Sequence, residues 1–336
     1  MPALYHKEKE TAIRALLAAS TLTISIQNDL IGKRSIQKED RTPVTVADYG
    51  SQAVICKILN DGFPDDPIVA EEDSKELSKP EHAEILSQVT HYVNASFSPV
   101  SSREVCKWID LGSGSNSPRC WTLDPIDGTK GFLRGDQYAI ALALIEEGTV
   151  MVGVLACPNI IPDSHRSPNS HRRMKARGGL FVAVRGQGAM QLDIGGDSGR
   201  RIHVSNVNSP SQALFTESLE SAHTHHRLQL ELAKKLGISR PPLRMDSQAK
   251  YAILANGEAS IYVRIPSPQT PDYREKIWDH AAGSILVEEA GGKVTDALDR
   301  GLDFTCGKTL ENNYGIIVTN GWLHRTVVTT LGPLLP

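Results

Sequence analysis

The stretch Cys120-Trp121-Thr122-Leu123-Asp124-Pro125-Ile126-Asp127-Gly128-Thr129 decides how this chain is read. Its first four residues read as a buried strand that ends at Asp124. Pro125 fixes the turn, and Gly128 lets backbone approach a ligand closely. Two carboxylates three residues apart can then point at one centre, with the Ile126 carbonyl between them. Hard divalent cations such as Mg²⁺ take oxygen ligands in this arrangement. Without a cation, like charges at close range raise each other's pKa and resist ionisation; a bound metal resolves the conflict.

Other acidic groups occupy comparable positions. Asp48 follows a strand-like run at residues 42–47 and precedes a helical pattern (Val54, Ile55, Ile58, Leu59) that stops at Asp61-Gly62. Pro67-Ile68-Val69-Ala70 reads as a brief strand delivering Glu71-Glu72-Asp73, and Asp279 precedes a helical pattern over residues 280–289. Taken singly, Asp48 and Asp279 would be helix caps and residues 71–73 a solvated turn. Their joint occurrence at strand ends and strand-to-helix turns points to a site.

Working outward, residues 9–31 carry apolar positions at helical spacing and predict a long amphipathic helix. Residues 138–144 and 150–157 predict a hairpin around Glu146-Glu147-Gly148, and residues 180–184 a further strand. After about residue 203, helical patterns (228–236, 280–289) alternate with short strands (213–215, 260–263, 315–318), which suggests an α/β unit. A chain of 336 residues fits two packed domains, here 1–202 and 203–336. Residues 112–118, 162–177 and 266–271 have no functional reading and look like surface insertions.

A net charge of −3 supplies no basic field for DNA, RNA or an anionic membrane. Five irregularly spaced cysteines with no C-x-x-C pair argue for reduced thiols rather than a disulfide framework or zinc knuckle. Residues 1–10 lack the apolar core of a secretory signal, and no stretch is long and apolar enough to span a membrane. The expectation is a cytoplasmic monomer.

Asp124-Pro125-Ile126-Asp127-Gly128-Thr129 and Trp278-Asp279-His280-Ala281-Ala282-Gly283 resemble the two signature motifs of the inositol monophosphatase superfamily of lithium-sensitive, Mg²⁺-dependent phosphatases. Ala70-Glu71-Glu72-Asp73 resembles its Gly-Glu-Glu-Ser element, with both ends changed. Thr42-Pro43-Val44-Thr45-Val46-Ala47-Asp48, Met245-Asp246-Ser247-Gln248-Ala249-Lys250-Tyr251 and Glu275-Lys276-Ile277-Trp278-Asp279-His280 resemble the 3′(2′),5′-bisphosphate nucleotidase branch. The resemblance implies an α/β fold, a layered αβαβα sandwich of the inositol monophosphatase and fructose-1,6-bisphosphatase type. It joins an α+β N-terminal domain to an α/β C-terminal domain.

The resemblance also implies two or three Mg²⁺ ions held by Glu71, Asp124, Asp127, Asp279 and the Ile126 carbonyl. Asp48 and Thr129 would form the water-activating pair, and Glu72 would sit behind the ligands. Gly128 and Thr129 N–H groups would hold phosphate oxygens, with Asp279 also facing the substrate. His223, Ser247, Lys250 and Arg264 would contact the nucleotide and its 5′-phosphate. The implied reaction is hydrolysis of 3′-phosphoadenosine 5′-phosphate to AMP, and of 3′-phosphoadenylyl sulfate to adenylyl sulfate, a step connected with sulfur assimilation. An inositol polyphosphate 1-phosphatase, a mixed-specificity phosphatase and a non-catalytic phosphate-binding regulator are the competing readings. A nucleic-acid 3′-phosphatase is disfavoured by the acidic balance.

Overall fold

The computed structural model describes residues 4–30, 36–37, 43–44, 46–97, 99–115, 117–160, 178–194, 199–219, 226–305 and 307–335. Helix α1 (His6–Leu30) buries Ala12, Ala15, Leu16, Ala19, Leu22 and Ile26, one stripe at three- and four-residue spacing. Strands β1 (Ile36–Gln37) and β2 (Pro43–Val44) pair antiparallel. Helix α2 (Val46–Gly62) is buried along almost its whole length and packs against α1. The expected strand at 42–47 is therefore short: Val46 and Ala47 already belong to the helix, and Asp48 sits inside its first turn rather than capping it.

Next come β3 (Ile68–Ala70), α3 (Ala83–Asn94) and α4 (Ser102–Asp110), the last opened by a Ser101–Glu104 capping box. Then follow β4 (Arg119–Asp127), α5 (Thr129–Arg134), β5 (Ala139–Glu146), β6 (Thr149–Cys157), β7 (Gly179–Val184), β8 (Gly188–Asp193) and β9 (Gly199–Ile202). Strands β3 to β9 form one seven-stranded sheet in chain order, parallel between β3 and β4 and antiparallel elsewhere. The β5–β6 hairpin turns through Glu147 and Gly148, both at positive φ (47° and 71°), as a two-residue turn of right-handed twist requires.

The remaining elements are β10 (Phe215–Glu217), α6 (His226–Lys235), β11 (Leu243–Arg244), α7 (Ala249–Ala255), β12 (Ile261–Arg264), α8 (Ala281–Glu289), β13 (Lys293–Thr295), β14 (Ile316–Thr319) and α9 (His324–Leu331). Their strands form a five-stranded sheet ordered β11-β10-β12-β14-β13. Three cores follow: α1 and α2 on one face of the large sheet, α7 and α8 between the sheets, and α6 with α9 outside the small sheet. This is the layered αβαβα arrangement. No helix of the described residues is long and apolar enough to cross a membrane.

Strand β5 shows how the layers are specified. Ile140, Leu142 and Leu144 enter the core under α1 and α2, whereas Ala139, Ala141 and Ala143 face the core containing α8. The small face lets α8 lie close. On the neighbouring β6, a Cβ at Gly153 would stand 2.3 Å from Ile285 Cγ2 and 2.9 Å from the Ala282 carbonyl.

Residues 112–114 are not a surface insertion. The Gly112 carbonyl accepts the Ala70 N–H (2.8 Å), and the Gly114 N–H donates to the Ile68 carbonyl (2.8 Å), so this loop pairs with the edge strand β3. A Cβ at Gly112 would meet Gln52 Nε2 at 2.6 Å and Ala70 Cβ at 2.7 Å; close backbone approach, not flexibility, explains the glycine. The excursion at 162–177 lies outside the described residues.

Candidate active site

Strand β4 does not stop at Asp124; it runs on to Asp127 through a register shift. Asp124 lies opposite Ala141 and Asp127 opposite Ala139, so three steps along β4 match two along β5. In a regular strand, residues three apart point to opposite faces. The bulge at Pro125-Ile126 turns both carboxylates to the face carrying Ala139 and Ala141, toward α8. Local bonds hold it: Ile126 N–H donates to Asp124 Oδ1 (3.1 Å), and the Ser51 hydroxyl of α2 donates to the Pro125 carbonyl (3.0 Å).

Gly128 follows at φ 88°, ψ 43°, and a Cβ there would stand 3.0 Å from Ser247 Cβ. Gly128 is the N-cap of α5, and Thr129 donates its hydroxyl to the Ile126 carbonyl (3.2 Å). That carbonyl keeps a second lone pair.

Glu71 and Glu72 follow β3. The amide of Gln52 on α2 accepts the Glu72 N–H (3.0 Å) and donates to the Glu72 carbonyl (2.7 Å), which fixes the turn. Glu71 lines the cavity, whereas Glu72 and Asp48, the latter 2% exposed, are buried and outside its lining. Asp279 arrives from the turn before α8.

The second half of the site is held by Gln248. Its N–H donates to Asp127 Oδ2 (2.6 Å), and its side chain bonds the Trp278 carbonyl (2.9 Å) and the Gly283 N–H (3.2 Å). It thus ties the two signature motifs together. Neighbouring Ser247 sits at φ 70°, a left-handed conformation uncommon for serine and frequent at functional sites. Lys250, on α7, donates to the Ser247 carbonyl (2.8 Å) and stands 5.3 Å over the Tyr262 ring. Arg264, at the end of β12, makes a bidentate pair with Glu275 (2.9 and 2.8 Å).

All this opens onto a cavity of about 400 Å³. Glu71, Asp124, Ile126, Asp127, Gly128, Thr129, Ser247, Lys250, Arg264 and Asp279 line it, so the expected site residues converge from five separate segments. His223 lies outside the described residues. Sequence reading missed Gln52, Gln248 and Glu275 as site builders, and Tyr262, Tyr273, Lys276 and Trp278 as wall. Gln248, Glu275, Lys276 and Trp278 stand inside the quoted motifs; Gln52, Tyr262 and Tyr273 had no local signal.

The cavity lining carries both signs of charge. Burial pushes the Asp124 pKa well above the usual carboxylate range, and Glu71, Asp127, Asp279 and Asp48 push it further. Asp279 rises to about 7, again mainly from burial, with Arg264 opposing the rise and Asp127 adding to it. Glu71, Asp124, Asp127 and Asp279, with a backbone carbonyl beside them, form an all-oxygen donor set that fits a hard divalent cation. A tighter grouping, Glu275, Asp279 and His280, has ligand atoms within 4.8 Å of one another. The Arg264 guanidinium already pairs with Glu275 there, which makes it an ion-pair network rather than a cation site. Lys130, Lys250, Arg264 and Lys276 bring positive charge to the same lining.

Fold and site together define a metal-dependent phosphatase class: the inositol monophosphatase family profile matches residues 6–332, and the chain belongs to that family. Similar curated proteins include a 3′(2′),5′-bisphosphate nucleotidase of Oryza sativa, 46% identical, with 96% of this chain and 93% of that protein covered. Another 3′(2′),5′-bisphosphate nucleotidase, from Schizosaccharomyces pombe, is 42% identical over 96% of this chain and 94% of its own length. The fold matches the crystal structure of CysQ from Bacteroides thetaiotaomicron, a bacterial member of the inositol monophosphatase family (TM-score 0.62, 21% identity, 94% and 97% coverage). It also matches inositol monophosphatase from Anabaena (TM-score 0.60, 22% identity, 98% and 96% coverage).

Proposed function

We propose that this chain is a Mg²⁺-dependent phosphomonoesterase that removes the 3′-phosphate of 3′-phosphoadenosine 5′-phosphate, leaving AMP, and treats 3′-phosphoadenylyl sulfate alike. The observation that carries the reading is the lining of one cavity, which holds Glu71, Asp124, Asp127 and Asp279 together with Lys250, Arg264 and Lys276. A substrate with two anionic groups matches it, one met by a cation on the carboxylates and one by the basic side chains. The relatives' names supply the nucleotide.

In this reading Glu71, Asp124, Asp127, Asp279 and the Ile126 carbonyl hold two or three Mg²⁺ ions, which when bound neutralise the scissile phosphate and acidify the attacking water. Asp48 is the base, and the Thr129 hydroxyl passes the water's proton toward it. Thr129 can turn to this task by releasing the Ile126 carbonyl, a single neutral hydrogen bond. The first N–H groups of α5 face the phosphate oxygens. This helix has only six residues, so direct bonds matter more than its dipole. Lys250, Arg264, Ser247 and His223 hold the remote phosphate. Residues 1–202 act as the domain bearing most carboxylates, and 203–336 as the one supplying Asp279 and the cations.

The test is phosphate release from a panel: 3′-phosphoadenosine 5′-phosphate, 3′-AMP, inositol 1-phosphate and inositol 1,4-bisphosphate, with Mg²⁺ and with excess chelator. The bisphosphate nucleotide is expected to be preferred, with no turnover in chelator. Preference for an inositol phosphate would replace the substrate assignment, and full activity in chelator would remove the metal assignment.

A further inference from the structure

Arg264 stands between two carboxylates. Its Nε and Nη2 donate to Glu275 Oε1 (2.9 Å) and Oε2 (2.8 Å). The same Nη2 is 3.7 Å from Asp279 Oδ2, beyond hydrogen-bond reach. Glu275 is itself anchored independently of Arg264. Its backbone carbonyl accepts the Leu310 N–H (2.8 Å), and its Oε2 lies 3.2 Å from His280 Nε2. His280 Nδ1 lies 2.7 Å from the Tyr251 hydroxyl. With its proton on Nε2 the ring accepts from Tyr251 and donates to Glu275. Tyr251 packs face-on against Gly283, where a Cβ would stand 2.4 Å from the ring. The clamp is thus braced from α7 and α8 at once.

We infer that Glu275 is a positioning residue that holds the Arg264 fork off Asp279, so that Asp279 keeps its lone pairs for a cation while the guanidinium stays on the cavity wall. The inference rests on the reading of Asp279 as a metal ligand. Its logic is competition. A buried guanidinium pairs with whatever carboxylate is in reach, because leaving it unpaired costs more than moving it. Glu275 outcompetes Asp279 with two parallel bonds of good geometry. With the Glu275 charge removed, Asp279 becomes the nearest carboxylate, and a shift of roughly 1 Å turns the present contact into a charge-assisted bond. A cation would then have to displace that bond, which weakens its binding by roughly ten- to a hundredfold.

The experiment measures Mn²⁺ binding by electron paramagnetic resonance on substrate-free protein: wild type, Glu275→Gln, and Glu275→Gln/Arg264→Gln. The expected result is a tenfold or greater loss of Mn²⁺ affinity in Glu275→Gln and its return to within about threefold of wild type in the double variant. A residue that merely supports the fold would not be rescued by removing its partner. Unchanged affinity in Glu275→Gln overturns the inference, as does equal loss in both variants. If Glu275→Gln fails to fold, the double variant decides alone: wild-type affinity supports the clamp, and weakened affinity overturns it. Absence of Mn²⁺ binding to the wild type would instead overturn the metal-site reading, and the inference with it.

Discussion

Replacing Lys250 by Met should stabilise the protein while harming its use of anionic substrates. Lys250 is 3% exposed. Burial lowers its pKa from 10.5 to about 8, with Asp127 partly opposing and Arg264 reinforcing the drop. That difference makes the buried charge cost about 3 kcal/mol at pH 7. Against it stand the bonds from Nζ to the Ser247 carbonyl (2.8 Å) and the Met245 carbonyl (3.4 Å), each worth about 0.5–1.5 kcal/mol. Methionine keeps the length and apolar stem, so the net expectation is a gain of about 1 kcal/mol at pH 7. The sign with pH follows from the direction of the shift. A lysine whose pKa falls on folding costs nothing above the unfolded value of 10.5, and its cost grows as pH falls to about 8 and then levels off. The advantage of Lys250→Met should therefore be full at pH 7 and shrink between pH 8 and 10.5. Urea unfolding of both proteins across that range reads it out, and repeating the titration with AMP present should stabilise wild type more than the variant. A variant less stable than wild type at pH 7, or an advantage independent of pH, would refute the reasoning.

Three further outcomes are expected. Asp127→Asn and Asp279→Asn should each lower phosphate release by orders of magnitude while circular dichroism stays native, and near-normal turnover in either would displace it from the site. Gly153→Ala should cost about 1–3 kcal/mol in urea unfolding, because the new methyl would meet Ile285 and the Ala282 carbonyl; it should also reduce activity by pushing α8, and with it Asp279, away from β4. An unchanged unfolding midpoint would mean that the layer relaxes freely. Burial lowers the His324 pKa to about 4, so folding stability should fall by up to about 3 kcal/mol as pH drops from 6.5 to 4, and His324→Gln should flatten that fall relative to wild type.

Much of the cavity lining was legible locally because its carboxylates stand at fixed spacing next to strand ends and strand-to-helix turns. Asp124, Asp127, Glu71 and Asp279 each sat beside an apolar run, and the structure brings all four to one cavity. The long first helix, the β5–β6 hairpin and the start of α8 followed from periodicity and turn residues. Misses have physical causes. Strands β8, β9, β11 and β13 are short or lie near sheet edges, where little apolar alternation is needed. Strand β10 falls two residues later than expected, since Ala213 packs into the core without joining the ladder.

The sequence by itself determined which carboxylates and cations were candidates for a site and where the longer strands and helices run, because turn conformation and alternation are properties of neighbouring residues. Only the tertiary structure decided that Asp124 and Asp127 share a face, since that depends on a register shift against β5. Only it showed that Gly112 seals a sheet edge, that Gln248 joins the two motifs, and that Arg264 pairs with Glu275 rather than standing open. Each of these is a competition between partners distant in the chain, and its outcome depends on distances that no local pattern contains.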